Sequence, residues 1–413
     1  MNICMLAPEF IPVWGGVGTY IVELIKNLPK EVNIHVVTPM RESYGKEKIS
    51  TLDYNFDEYF NDNIHVHFIS TANDTFFYNA KFQYACQKYV PKLIKENDID
   101  IVHSHTAHMS DILLQYKKIN APIVTTIHTT IKGQRKGTEK SDMGFFNLEF
   151  SEKITHLSYY GLRFLEELYF RRDRKYLTVS NWMKESITKD YPSINKEDIR
   201  VVYNSIDPKI YCPLDNKQDN TKKEILFTGR LVAAKGIKYI IEAIPPVISE
   251  YPDVEFKFIG AGNKSPYVNE LEKQNISKNN YNFIGYVKET REMVEHYRNA
   301  DIYLAPTLYE NLPIRILEAM GCGAPVIASS VSAIPEIITD GENGLLISPG
   351  DSNELTECII KLLDDPILSK KISQEGRKTV LEKFNWKKNS NKIMNFYEEV
   401  ISDYKNKKMR KIP

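Results

Sequence analysis

Short apolar runs alternate with longer amphipathic segments along the whole chain. In the first half the runs are residues 1–7, NIHVVT, IHVHFI, DIVHSH and APIVTTIH; in the second half they are EILFTGRL, VEFKFIGAG, NFIGYV, DIYLAPT, VIAS and GLLIS. The segments between them, such as TYIVELIKNL, carry apolar residues at helical spacing. Apolar strands separated by helices are typical of parallel sheets covered on both faces. The pattern therefore predicts an α/β protein.

Two places interrupt this alternation. Residues 212–223 (CPLDNKQDNTKK) are polar and without an apolar period, which predicts an interdomain linker. Residues 131–150 contain glycines and basic residues without a period, which predicts a mobile loop over a ligand-binding cleft. A helix is expected next, from about Ser151 to Arg174, and the last helix from about Asn389 to Asp403.

Length and composition exclude several classes of protein. A chain of 413 residues is long enough for two domains. Its 54 basic residues balance 54 acidic ones, so no nucleic-acid partner is expected. The five cysteines never have C-x-x-C spacing, which argues against a disulfide framework or a zinc site and for a reducing compartment. Without a signal-like N-terminus or a long apolar stretch, a cytoplasmic protein is expected, or one at the inner face of the membrane.

The stretch from Tyr309 to Ser329 carries the most specific chemistry. Glu310 follows the apolar strand DIYLAPT, and Glu318 lies eight positions later on a helix that should begin at Pro313. The helix start offers N–H groups to phosphate or sugar oxygens, and Glu310 can accept protons from hydroxyl groups. Glu318, about 12 Å further along the helix axis, should touch another part of the same ligand. This arrangement suits an anionic, hydroxyl-rich ligand.

A second candidate element is GRLVAAKG, which places Arg230 at a strand exit and Lys235 at the start of the next helix. Two cations beside a helix N-terminus form a natural cradle for phosphate groups. With both cations in place, no metal and no cofactor is expected.

These segments resemble those of the retaining, GT-B-fold glycosyltransferases of family 4. Tyr309 to Ser329 is similar to the E-x7-E signature of that family, and GRLVAAKG to its cationic motif, although Ala234 stands where a glutamate is common. Asn204-Ser205-Ile206-Asp207 resembles the N-G-V-D segment, with Ser205 in place of the usual glycine.

The resemblance implies two Rossmann-like domains facing across a cleft. Residues 1–206 would form an N-terminal acceptor-binding domain, joined by the C-terminal helix 389–413, which crosses back to it. Residues 207–388 would bind the nucleotide sugar.

The resemblance also implies roles for individual residues. Glu310 would contact the donor sugar and Glu318 the nucleotide ribose, with Asn311 and Leu312 in the same donor-binding loop. His128, after the strand APIVTTIH, would lie close to the reacting end of the donor sugar. A satisfied core histidine is the alternative for His128.

Glycines complete the donor-binding set. Gly15, Gly16 and Gly18 lie between the first strand and helix and match the N-terminal glycine loop of the family, near the donor diphosphate; a tight turn would need the same residues. Gly260 ends the strand VEFKFIG, in a glycine turn.

Two other motifs are candidates for metal binding. His103 and His105 share one face of a strand without a cysteine or carboxylate partner, so a packing or acceptor-side role is expected. The Asp98-Ile99-Asp100 triplet precedes its strand, at the wrong end for a ligand site, and is rejected as metal-binding.

The predicted function is transfer of a hexosyl unit, with retention, from a UDP- or GDP-sugar to a hydroxyl acceptor such as a glycan, lipid or polyol. One alternative is a nucleotide-sugar 2-epimerase of the GT-B fold. Another is a non-catalytic nucleotide-sugar-binding protein or a membrane-peripheral scaffold. The basic residues in 131–140 and 171–175 suit contact with an acidic membrane surface, although solvated helix ends would look the same.

Overall fold

The computed structural model describes residues 1–11, 15–41, 50–51, 54–72, 77–106, 109–140, 150–170, 174–214 and 222–410. The chain divides into two compact units. Unit 1 comprises Met1–Thr130, Tyr160–Tyr203 and Trp386–Pro413, and unit 2 comprises Ile131–Tyr159 and Asn204–Asn385.

The apolar runs form strands, which are short and mostly buried. In chain order they are β1 (Asn2–Leu6), β2 (Asn33–Met40), β3 (Ile64–Thr71), β4 (Ile101–His105), β5 (Ile123–Ile127), β6 (Lys175–Thr178), β7 (Ile199–Val201), β8 (Glu224–Thr228), β9 (Glu255–Ile259), β10 (Tyr281–Gly285), β11 (Ile302–Ala305), β12 (Val326–Ser329) and β13 (Leu345–Ile347).

Helices lie between the strands. They are α1 (Gly16–Asn27), α2 (Phe56–Tyr59), α3 (Phe77–Glu96), α4 (Ile131–Glu139), α5 (Phe150–Leu157), α6 (Tyr159–Phe170), α7 (Asn181–Asp190), α8 (Ile237–Glu250), α9 (Ser265–Lys273), α10 (Thr290–Asn299), α11 (Ile314–Gly321), α12 (Ser352–Asp364), α13 (Pro366–Lys383) and α14 (Trp386–Met409). Among the described residues, no helix is long and apolar enough to cross a membrane.

Each unit is built on one parallel sheet. The strand order is β3-β2-β1-β4-β5-β6-β7 in unit 1 and β10-β9-β8-β11-β12-β13 in unit 2. In both sheets the order reverses beside the first strand of the unit, which is where doubly wound sheets open a crevice for ligands. These are the two Rossmann-like domains that the sequence predicts.

Helix α14 belongs to unit 1, although it follows unit 2 in the sequence. Its Trp386 packs against Tyr20 of α1, with ring centroids 5.6 Å apart, and Tyr397 bonds to His103 of β4. Arg200 of β7 forms a bidentate pair with Glu399, at 3.0 and 2.7 Å. The predicted return of the C-terminal helix to the N-terminal domain is confirmed by these contacts.

The structure corrects the prediction for 131–174. Residues 131–139 form helix α4 rather than an irregular loop, and residues 141–149 lie outside the described part of the chain. The single helix expected from Ser151 to Arg174 is two helices, α5 and α6, separated at Ser158. Residues 131–159 also belong to unit 2, so the first compact unit is not the continuous 1–206 of the predicted domain.

Candidate active site

Two loops of unit 2 bring Lys235 and Glu310 together. After β8 the chain forms a one-turn 3₁₀ helix, Ala233–Lys235, and the loop after β11 bonds to it. Both the Leu308 backbone N–H and the Thr307 hydroxyl donate to the Ala234 carbonyl, each at 2.9 Å. This pairing of loops places the Lys235 ammonium on the Glu310 carboxylate, to which it donates a short hydrogen bond. Both side chains keep about a quarter of their surface exposed (27% and 23%), so a ligand can reach the pair.

Arg230 lies in the same loop as Lys235 but is exposed. Within the described residues its guanidinium has no hydrogen-bond or ion-pair partner. The backbone before it approaches Gly260 closely: a side chain at Gly260 would overlap the Gly229 carbonyl, and Gly260 has a φ of +149°. Gly260 is therefore required by the packing of the turn that supports Arg230; donor contact through Gly260 stays a prediction.

Glu318 is buried, with a relative exposure of 1%. Its Oε2 accepts from the Tyr297 hydroxyl at 2.7 Å and from Arg315 Nη1 at 2.8 Å. Since a carboxylate can only accept, the hydroxyl chain behind it runs in one direction, from Tyr303 to Thr228 Oγ1 (3.0 Å), on to Tyr297 (3.0 Å) and then to Glu318. Burial and the nearby Glu318 charge raise the pKa of Tyr297, which keeps its hydroxyl protonated as a donor.

Asn311 and Leu312 connect Glu310 to helix α11, and both are buried. The Leu312 carbonyl accepts from Asn204 Nδ2 at 2.6 Å. Asn311 Oδ1 lies 3.3 Å from the Tyr309 hydroxyl. These contacts give Asn311 and Leu312 a clear structural part in holding the loop, and their contact with a donor stays a prediction.

Helix α4 packs through two glycines against Tyr309, in the loop that carries Glu310. A Cβ at Gly133 would overlap the Tyr309 hydroxyl, and a Cβ at Gly137 would lie 2.8 Å from Tyr309 Cβ and 3.4 Å from Ala234 Cβ. Gly133 and Gly137 are four positions apart and thus share one face of the helix. Sequence analysis missed this contact because glycines without an apolar period indicate a loop.

The glycines of unit 1 lie at the start of α1. Gly15 is the N-cap, Gly16 is the first helical residue, and Gly18 is buried in the first turn. A Cβ at Gly15 would lie 2.6 Å from Glu9 Oε2, so the carboxylate of Glu9 approaches the helix start. The N-terminal N–H groups of α1 suit an anion, and contact of these glycines with a diphosphate stays a prediction.

Three histidines form a buried row at the carboxyl ends of β4 and β5, which we call the histidine row: His103, His105 and His128. His105 Nδ1 and His128 Nε2 are 3.0 Å apart, and the rings of His103 and His105 are 4.7 Å apart. Tyr20 lies edge-on to His128, with 4.7 Å between ring centroids. His128, at 9% exposure, is the outermost member of the row.

Within the histidine row, His103 is completely enclosed. One ring nitrogen contacts the Tyr397 hydroxyl and the other the Thr126 hydroxyl, both at 2.6 Å. Burial, and secondarily His128, lower the pKa of His103 to about 3. His103 is thus neutral at physiological pH, as expected of a packing residue.

The basic segment 171–175 is not a free cationic surface where it is described. Arg174 is buried and pairs with Asp111 at 2.7 Å, and Lys175 donates to Asp198 at 2.6 Å. Residues 171–173 lie outside the described chain. In 131–140, Arg135 bonds to Glu139 and stacks over Tyr159, while Lys136 and Lys140 are exposed. Arg174 is therefore not available to a membrane surface, and membrane contact through the other residues of 131–140 and 171–175 stays a prediction.

The described residues contain no group of three or more His, Cys, Asp or Glu side chains arranged to hold a metal ion. The Asp98-Ile99-Asp100 triplet has a local explanation: Asp100 accepts from the Asn2 backbone N–H at 2.9 Å, at the start of β1. Of the predicted site residues, the N-terminal glycines and His128 lie in unit 1, and the others lie in unit 2.

Comparison with known proteins gives two matches to family models. Residues 14–210 match the model described as Glycosyltransferase Family 4, and residues 222–365 match the model described as Glycosyl transferases group 1. An uncharacterised glycosyltransferase of Methanocaldococcus jannaschii is 26% identical over 96% of this chain and 98% of its own length.

Solved structures show the same architecture. Sucrose-phosphate synthase from Thermosynechococcus elongatus superposes with a TM-score of 0.77 at 16% identity, covering 98% of this chain and 100% of the other. Anabaena HepE in complex with UDP and glucose gives a TM-score of 0.71 at 17% identity, covering 96% and 99%. The fold is therefore GT-B, and the two matched segments, one in each half of the sequence, show that this chain belongs to the family 4 (group 1) glycosyltransferases.

Proposed function

We propose that this glycosyltransferase moves a hexosyl unit from a nucleoside-diphosphate sugar to a hydroxyl acceptor, with retention of configuration and without a metal. UDP- and GDP-sugars are the expected donors, and a glycan, lipid or polyol the expected acceptor. Arg230 and Lys235 would hold the diphosphate, Glu310 the sugar and Glu318 the ribose.

The observation that carries the proposal is the Lys235–Glu310 pair, together with the exposed Arg230 in the same loop as Lys235. The reaction breaks the bond between the anomeric carbon and the diphosphate oxygen, so negative charge grows on the diphosphate while the sugar becomes cation-like. Fixed cations next to the diphosphate and a carboxylate next to the sugar stabilise both charges. The pair supplies one group of each sign in direct contact.

The proposed reaction needs no nucleophile from the protein, because the acceptor and the leaving diphosphate account for every bond and proton. The acceptor oxygen forms a bond to the anomeric carbon on the face that the diphosphate leaves. The acceptor proton passes to a phosphate oxygen of the leaving group. Lys235 changes partner in part, from Glu310 to the diphosphate, at low cost because both side chains are partly solvated.

Relatives support a nucleotide-sugar donor. The structure of Anabaena HepE holds UDP and glucose, and its fold covers nearly the whole of this chain. The name of another structural neighbour, sucrose-phosphate synthase, describes synthesis of a sugar phosphate. Both fit transfer of a sugar from a nucleotide.

The test is thermal-shift binding of UDP, GDP and ADP and their sugar conjugates, with and without a chelator. A ligand at a hundred times its Kd should add about 2.7 kcal/mol to the stability of the wild type. The Arg230→Ala, Lys235→Ala double variant should lose this shift, while Lys378→Ala, which removes a surface lysine on α13, should keep it. No shift with any nucleotide would refute the donor site.

Product analysis separates transfer from epimerisation. Incubation of the bound nucleotide sugar with an acceptor mixture should yield a new glycoside and free nucleoside diphosphate. A 2-epimerase would instead return an isomeric nucleotide sugar without any acceptor. NMR of the new anomeric centre decides between retention and inversion.

A further inference from the structure

The environment of Glu318 is asymmetric. Both of its donors, Tyr297 Oη and Arg315 Nη1, lie on Oε2, at 2.7 and 2.8 Å. Among the described residues, no side chain or backbone group donates to Oε1. A carboxylate with one oxygen fixed and the other unoccupied is set to accept from a ligand hydroxyl in one defined direction.

The two donors reach Glu318 from different elements. Arg315 lies three positions earlier on α11, and its side chain is 44% exposed, so its guanidinium approaches the buried carboxylate from the solvent side. Tyr297 comes from α10 and is fully buried, with its ring edge-on to Tyr303, centroids 5.7 Å apart. Glu318 is therefore held from the outside by a charge and from the inside by a fixed hydroxyl chain.

We propose that Arg315 and Tyr297 are positioning residues that fix Glu318 for recognition of the ribose hydroxyls of the donor nucleotide. This inference rests on the proposed function, since it assigns a mechanism to the ribose contact of Glu318. Arg315 holds Glu318 Oε2 from the solvent side, and Tyr297 holds the same oxygen from the buried side, so the rotation of the carboxylate is fixed. Neither residue needs to touch the nucleotide.

The experiment pairs protein variants with ligand hydroxyls. UDP, GDP and ADP identify the nucleotide that binds the wild type; its 2′-deoxy and 3′-deoxy forms are then titrated by calorimetry. Loss of a hydrogen bond to a charged group should weaken binding to the wild type by about 10- to 150-fold for at least one deoxy form. In Arg315→Met the same penalty should shrink to about threefold or less, because Glu318 loses one of the two donors that fix its orientation.

Matched variants separate positioning from general damage. Arg315→Lys keeps the charge and should restore part of the penalty, while Tyr297→Phe keeps the ring and should reduce the penalty. Lys378→Met removes the cation of another i,i+3 pair, with Glu375 on α13, and should leave the penalty unchanged. The melting temperature of each variant shows whether it is folded.

The outcomes distinguish the two proposals. If the wild type binds none of the nucleotides, the proposed function fails and the inference with it. If it binds them with no preference for the ribonucleotide, the ribose contact of Glu318 fails while the donor site stands. If the penalty persists unchanged in Arg315→Met and in Tyr297→Phe, the positioning role is overturned and the proposed function is untouched.

Discussion

The histidine row of unit 1 and the charged loops of unit 2 both lie at the carboxyl-end side of a parallel sheet, yet they are built by opposite means. In the histidine row the side chains are enclosed, and His103 is completely buried between two hydroxyls and neutral. In unit 2 the polar groups are ionised and partly exposed, as in the Lys235–Glu310 pair. When a histidine is buried in its neutral form, the folding stability depends on pH. When charged side chains are partly exposed, they can bind a ligand and contribute little to the free energy of folding. Changes to the histidine row should therefore alter the stability of the protein, and changes to the charged loops should alter its activity.

The largest expected effect on stability is the loss of stability of unit 1 in acid. The folded-state pKa of His103, about 3, is below the unfolded value of about 6.5, so the unfolded chain takes up the proton first as pH falls. The contribution of neutral His103 to the free energy of unfolding is complete above about pH 6.5. It should decline by about 1.4 kcal/mol per pH unit below that value. All three tryptophans fall within the ranges of unit 1, so urea unfolding followed by tryptophan fluorescence at pH 7, 6 and 5 reports on this unit. His103→Gln should reduce the slope; an equal slope in both proteins would contradict the prediction.

In unit 2 the largest effect should come from Lys235→Ala. Loss of one electrostatic catalytic group typically lowers kcat by about 10²–10³-fold. The free energy of unfolding should change by only about 0.5 kcal/mol, because the pair is partly solvated. Steady-state kinetics and urea unfolding of the same preparation check both statements, with Lys378→Ala as the control. A large loss of stability would mean that the pair is structural, and the contrast between the two regions would fail.

The contact between α4 and Tyr309 offers a smaller test. Gly133→Ala should cost about 1–3 kcal/mol through overpacking, since the new methyl group would overlap the Tyr309 hydroxyl. Tyr309→Ala in the same chain should recover part of this loss. The control is Gly161→Ala on α6, where a Cβ would meet nothing within 4 Å and alanine should be neutral or stabilising. Thermal unfolding followed by circular dichroism measures all of these variants.

The smallest effect should follow from Tyr397→Phe. This change removes the hydroxyl at 2.6 Å from His103 but keeps the ring, which costs about 1 kcal/mol of stability in unit 1. The tryptophan-fluorescence transition detects it at pH 7. Donor binding by unit 2 should not change, and a weakened thermal shift with nucleotide would show that the two regions are energetically linked.

The sequence predicted the strands, the two parallel sheets and the return of the last helix, because each depends on apolar periodicity. It predicted Lys235 and Glu310 as members of one site from two separate motifs, and the structure brings them into contact. Both residues belong to loops whose place is set by the strand before them. The positions of the strands were therefore enough to predict that Lys235 and Glu310 belong to one site.

Three features of the structure could not be predicted from the pattern of apolar and polar residues. Tyr297 lies 21 positions before Glu318, on a helix with no motif of its own, and only the packing of α10 on α11 reveals their bond. His105 and His128 are joined across neighbouring strands, which no local spacing specifies. The glycines of α4 lower its helix propensity, so the pattern indicates a loop, although the same glycines make the face that packs on Tyr309.

The place of α14 in unit 1 has a consequence for synthesis of the protein. A ribosome releases residues 386–409 only after the whole of unit 2, so Trp386 and Tyr397 reach Tyr20 and His103 last. Unit 2 can complete its core while the protein is still attached to the ribosome. Unit 1, although most of it is made first, must wait with its histidine row uncovered until α14 has been synthesised.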